Sequence, residues 1–141
     1  MSGQITPDVV LLVQGILTAG LAPLPGHLAA PVVGEVPNPR PERFVVVSLA
    51  GGPGRTGANP VVDRVAVTVE AWADHREWAN DLATDARAVL LDSAGATVDG
   101  VQLYRVEDSG TPVLLPDPLD SGQHRVTFTV VATVRMRRRT A

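Results

Sequence analysis

The chain has no cysteine and no lysine, and only five of its 141 residues are aromatic: Phe44, Trp72, Trp78, Tyr104 and Phe128. Without Cys there is no disulfide framework, no thiol nucleophile and no Cys-ligated zinc or iron–sulfur site. Without Lys there is no Schiff-base chemistry and no phosphate-binding lysine. Long apolar runs are missing too. The strongest, Val9 to Leu24, is interrupted by Gln14, Gly15, Thr18, Gly20 and Pro23 and is too short to span a bilayer. The start, Met1-Ser2-Gly3-Gln4-Ile5, has no basic region of a secretory signal, so a soluble, cytoplasmic chain is expected.

What is present is an aliphatic chain. Hydrophobic residues make up 45%, which is too many for a disordered polyelectrolyte, and Val and Ala dominate them. A mass of 14.8 kDa suits one domain, residues 1–141, with a core large enough to fold without staples. All 12 basic residues are Arg, against 15 acidic ones, for a net charge of −3. That balance argues against general nucleic-acid binding. Arg135, Arg137, Arg138 and Arg139 crowd the C-terminal end, and removing those four charges from −3 leaves −7 on the body. Residues 137–141 are a candidate flexible basic tail.

The segments read as follows. Thr6-Pro7-Asp8 starts a helix with a cap, a proline and an acid. Val9, Leu12, Val13, Ile16 and Leu17 continue it at helical spacing over about Pro7 to Ala19, with Gly20 as the stop. Six prolines between Leu21 and Pro41 exclude a long helix there, and Val32 to Val36 is a candidate edge strand. Arg43–Leu49 and Val61–Ala73 predict strands, the second alternating Val65, Val67, Val69, Ala71 against Arg64, Ala66, Thr68, Glu70, Trp72. Asp74-His75-Arg76-Glu77 has capping-box spacing ahead of a helix over His75 to Leu91. Val98–Glu107 and Arg125–Met136 complete the strands, with Asp108–Gln123 as a long loop between them. Consecutive strands rather than strict alternation predict an α+β domain: a mainly antiparallel sheet with both helices packed on one face.

No catalytic or cofactor constellation emerges. Gly52-Pro53-Gly54-Arg55-Thr56-Gly57 matches GxGxxG, but a strand rather than a helix follows it, so a dinucleotide would find no helix N-terminus. His27, His75 and His124 lack metal-ligand spacing, and the serines lack a nucleophile elbow. Asp117 lies between two prolines, which reads as a stiff turn rather than as half of an acid pair with Asp120. The informative features are candidate contacts. Trp72 and Trp78 fit either a strand–helix corner in the core or a subunit interface, where Trp and Arg are enriched. The terminal arginines fit a solvated end, an acidic neighbouring subunit or DNA phosphates. Arg55 and Asp117, in the two long loops, complete the candidate interface.

Taken in order, these segments resemble the tail terminator proteins of long-tailed, siphovirus-type bacteriophages, above all those of high-GC actinobacterial hosts. The resemblance rests on Pro7-Asp8-Val9-Val10, then Arg40-Pro41-Glu42-Arg43-Phe44-Val45-Val46-Val47 and Gly51-Gly52. It continues through Val65 to Ala73 into the Ala-rich helix ending Ala86-Arg87-Ala88-Val89-Leu90. It closes with Pro116-Asp117-Pro118, His124 to Val130, and Val134-Arg135. It implies an α+β subunit of a hexameric ring that caps the tail tube, stops its polymerisation and joins it to the head connector. DNA then passes through without sequence-specific binding. It also implies a virion protein assembled in the host cytoplasm, with no catalytic, metal or cofactor residues. Another neck component, such as a stopper or head-completion protein, and a small ligand-binding α+β domain stay open as alternatives.

Overall fold

The two stretches of strongest alternation become the two longest strands and lie side by side. β4 (Val62–Ala73) and β8 (His124–Arg135) have 12 residues each and pair antiparallel, from Val62 opposite Arg135 to Ala73 opposite His124. The structure is a computed structural model that describes residues 3–26, 30–55, 61–119 and 121–139. β3 (Arg43–Gly51) flanks β4, and β6 (Val101–Asp108) flanks β8, both antiparallel. Three short strands finish the sheet. β2 (Val32–Val33) runs parallel to β3, β5 (Thr97–Val98) pairs with β6, and β7 (Val113–Leu115) pairs with residues 125–127 of β8. The order is β2-β3-β4-β8-β6-β5, with β7 following β6 along the same side of β8. A separate ribbon joins β1 (Gln4–Ile5) to β9 (Arg137–Arg138). With helices α1 (Val9–Leu21) and α2 (Arg76–Asp92), this is the α+β architecture that the order of segments predicts.

Both helices cover one face of the sheet. Val45, Val47, Val67, Val69, Ala71, Phe128, Val130 and Val134 meet Leu12, Val13, Leu17 and Leu21 of α1 and Leu82, Ala83, Ala86 and Leu90 of α2. Each such Val or Leu contributes about 1.5–3 kcal/mol on burial. Small residues set the helix spacing. Gly20 does not stop α1, which runs on to Leu21; its missing Cβ leaves room for Val89 of α2.

Other boundaries differ for local reasons. Asp8, not Thr6, caps α1 by accepting from Leu11 N at 3.0 Å, because the Thr6 hydroxyl donates to Asp63. The predicted capping box does not form. His75 is the residue before α2 and makes no side-chain cap, while the Asp74 carboxylate accepts from Gln123 Nε2 at 3.0 Å. The predicted strand Val98–Glu107 breaks at Asp99-Gly100, both at positive φ, a two-residue turn that folds β5 back on β6. The strand expected over Val32 to Val36 is only two residues long.

Candidate interaction surfaces

One end of the sheet face away from the helices is roofed by two arginines, Arg40 from a loop and Arg125 from β8. Phe44, Val46 and Trp72 form a small buried cluster there, with Phe44 and Trp72 stacked at 5.5 Å. Two guanidiniums lie over the Trp72 ring, Arg40 at 5.1 Å and Arg125 at 5.4 Å. Such contacts combine cation–π attraction with packing of the arginine stem. Arg125 is held by Glu70 at 3.0 Å and by the Pro116 carbonyl at 2.8 Å. Arg40 donates to Asp117 at 3.1 Å and to the Ser121 hydroxyl at 2.9 Å. Asp117 accepts in addition from Leu119 N, Ser121 N and the Ser121 hydroxyl. The Ser121 hydroxyl, the Leu119 amide and then the Arg40 charge hold the Asp117 carboxyl far below the usual carboxylate range.

This geometry revises two of the candidate contacts. Trp72 is 2% exposed, so it belongs to the core of its own chain and presents no surface to a partner. The Asp117 side chain is 3% exposed and fully engaged, so it organises the loop rather than reaching outward. The loop over 108–123 is likewise built rather than slack. β7 occupies its middle, Arg40 and Arg125 strap its second half, and Gln123 Nε2 reaches the Pro41 carbonyl at 2.8 Å. At its start, Arg87 of α2 grips Asp108 through two bonds of 2.8 and 2.7 Å, which lowers the Asp108 pKa and raises that of Arg87.

Trp78 stays at the surface. It is half-buried at the start of α2, with the Arg43 guanidinium 4.1 Å over its ring and His75 edge-on at 4.3 Å. Arg135 donates to the Tyr104 hydroxyl at 3.2 Å. Arg137, Arg138 and Arg139 are exposed and form no ion pair among the described residues. The backbone of Arg137 and Arg138 is nonetheless fixed in the ribbon with Gln4 and Ile5. Arg55 is exposed at the start of the glycine-rich loop. That loop folds back on β4, with Gly54 N donating to the Arg64 carbonyl at 3.0 Å and Arg64 Nε to the Gly54 carbonyl at 3.1 Å. Gly52, at φ +117°, has backbone of β4 where a Cβ would stand. The glycines of this partial motif therefore serve a tight return between strands. Residues 56–60, His27 and Asp120 lie outside the described residues.

The sequence reading missed the exposed apolar residues. Val113, Leu114 and Leu115 form an exposed triplet on β7, Leu119 follows at 76% exposure, and Leu49 on β3 is 64% exposed. Leu49 lies beside the first residues of α1, Val9 and Val10, and Leu114 beside the first turns of α2. The signal was present: an apolar triplet inside a loop otherwise rich in Pro and Gly. Beside Leu114 lies a groove of about 470 Å³ lined also by Pro112 and Val126 and by Arg76, Glu77, Asn80 and Asp81 of α2. Among the described residues there is no group of three His, Asp or Glu side chains able to hold a metal ion. No helix of the described residues is long and apolar enough to cross a membrane. No protein-family model and no curated protein matches this chain.

Proposed function

We propose that the protein is a structural virion subunit of the tail terminator kind. In this reading it forms a hexameric ring on the head-proximal end of the tail tube, ends polymerisation there and joins the tail to the head connector. The observation that carries the reading is the exposed apolar triplet Val113-Leu114-Leu115 on a strand that pairs on one side only among the described residues. Monomeric proteins blunt such edges with charge, proline or a cover, because open backbone groups and apolar side chains recruit another chain. β7 is short and bracketed by Pro112 and Pro116, yet its three apolar side chains stay exposed among the described residues, which suits a subunit made to assemble. The ordered segment resemblance supplies the particular role, and the acidic body suits a conduit that must let DNA slide.

The test is a phage from which this gene is deleted. Tails of uncontrolled length that fail to join heads are expected by electron microscopy, with rescue by the gene supplied in trans. Tails of normal length joined to heads in the deletion would refute the reading.

A further inference from the structure

The two long sides of the sheet expose matching corners. On one side, β3 runs past its pairing with β2, and residues 48–51 are exposed with Leu49 outermost. On the other side stands β7, exposed over all three residues. Leu49 is opposite Val67, and Leu114 is opposite Val126; both partners are core residues under the helices. Pairing in a sheet keeps opposed residues on one face, so Leu49 and Leu114 both sit on the helix side. Three antiparallel steps, β3 to β4, β4 to β8 and β8 to β7, make β3 and β7 run in opposite directions.

A second copy in the same orientation therefore matches this edge in strand direction and in sheet face. Its β3 would lie antiparallel to β7, its helices would stay on the same side, and Leu49 would face Leu114 as a cross-strand apolar pair. We infer that residues 48–51 of one copy pair with residues 113–115 of the next, so that the sheet continues from subunit to subunit. This rests on the ring reading and specifies its interface. It is a head-to-tail contact, which closes into a ring only at a fixed rotation. It is also staggered. Leu49 aligns through Val67 with Val130 and Leu114 with Val126, four residues apart on β8, or about 13 Å along the strands. As in a closed barrel, such a stagger requires the strands to tilt from the axis of closure.

The experiment uses the full chain with Leu49→Glu or Leu114→Glu, sized by light scattering. Both sites are exposed, so each variant should keep the wild-type circular dichroism and melting point. Each is expected to weaken self-association at least tenfold. An equimolar mixture of the two is expected to give a 1:1 dimer and nothing larger, because each variant retains one working corner. Because the chain has no cysteine, a Ser48→Cys, Leu115→Cys double variant adds the only thiols, at positions that oppose each other in this pairing; its oxidation should give a ladder of linked copies. Oligomers formed by both Glu variants as by the wild type, with no ladder, would overturn the strand pairing and leave the ring intact. A wild-type chain that stays monomeric, alone and on tail tubes, with no ladder, would overturn both.

Discussion

The two faces of the sheet are covered by different physics, the second only at the end where Phe44 and Trp72 lie. Under the helices, side chains from β3, β4 and β8, aliphatic apart from Phe128, interlock with α1 and α2. On the other face, Trp72 and Phe44 are roofed by two arginines, whose charges are then balanced by Glu70 and Asp117. The first closure is non-directional and depends on volume. The second depends on particular donors meeting particular acceptors, brought together from positions as far apart as Arg40 and Asp117. The Trp72 indole N–H and the Arg125 Nε remain buried there with no partner among the described residues. Aliphatic closure thus carries the stability, and the arginine roof mainly fixes where the 116–123 loop lies.

Three measurements would break or sharpen that contrast. The largest effect is expected on the helix side. Leu82→Ala removes a fully buried side chain between α2 and the sheet and should cost about 2–5 kcal/mol in urea unfolding, with the exact value set by how far the helices relax. A loss below about 1 kcal/mol would mean that the helix layer is not the main source of stability. On the roof, Arg40→Met keeps a long apolar stem over Trp72 and removes the charge. We expect about 1 kcal/mol, since Arg40 is partly exposed and such pairs are screened, together with faster proteolysis in the 116–123 loop. A loss as large as that of Leu82→Ala would make the two faces equal.

The smallest effect is a pH dependence that belongs to the roof alone. The folded Asp117 carboxyl has a lowered pKa, so the unfolded chain takes up its proton first as pH falls. Stability from this group is therefore complete above the ordinary carboxylate pKa of about 4 and declines as the pH drops below it. Asp108, lowered by its bonds to Arg87, adds to the same slope. Asp117→Asn should flatten the stability–pH curve between about pH 5 and pH 2, whereas Leu82→Ala should shift it down at every pH. An unchanged slope in Asp117→Asn would show that the carboxylate is not held as its bonds indicate.

Much of the fold was legible because period-2 alternation of Val and the Ala/Leu spacing of α2 are local signals. The errors arose where a residue had two uses. Asp74 reads as a cap until Gln123 takes its carboxylate, and Gly20 reads as a stop until Val89 packs against it. Asp99-Gly100 was an available turn signal, overlooked because the flanking residues are themselves strand formers. The candidate contacts were less legible. Trp72 and Asp117 have the residue types of an interface and turned out to be internal. Leu49 and Leu114 have the residue types of a core and turned out to be exposed, since exposure at a sheet corner depends on where the covering helices end.

By itself the sequence determined the class of the protein: one aliphatic α+β chain, without thiol or lysine chemistry, its charge divided between an acidic body and an arginine-rich end. Those properties follow from composition and from short-range periodicity, which any folded arrangement must respect. Only the tertiary structure decided which side chains are spent inside the molecule and which are left facing out. Arg40, Asp117 and Gln123 find one another across the sheet, and Leu49 and Leu114 are left uncovered on opposite sides of it. Both outcomes depend on distances between remote segments, and those distances are set by packing that no local pattern encodes.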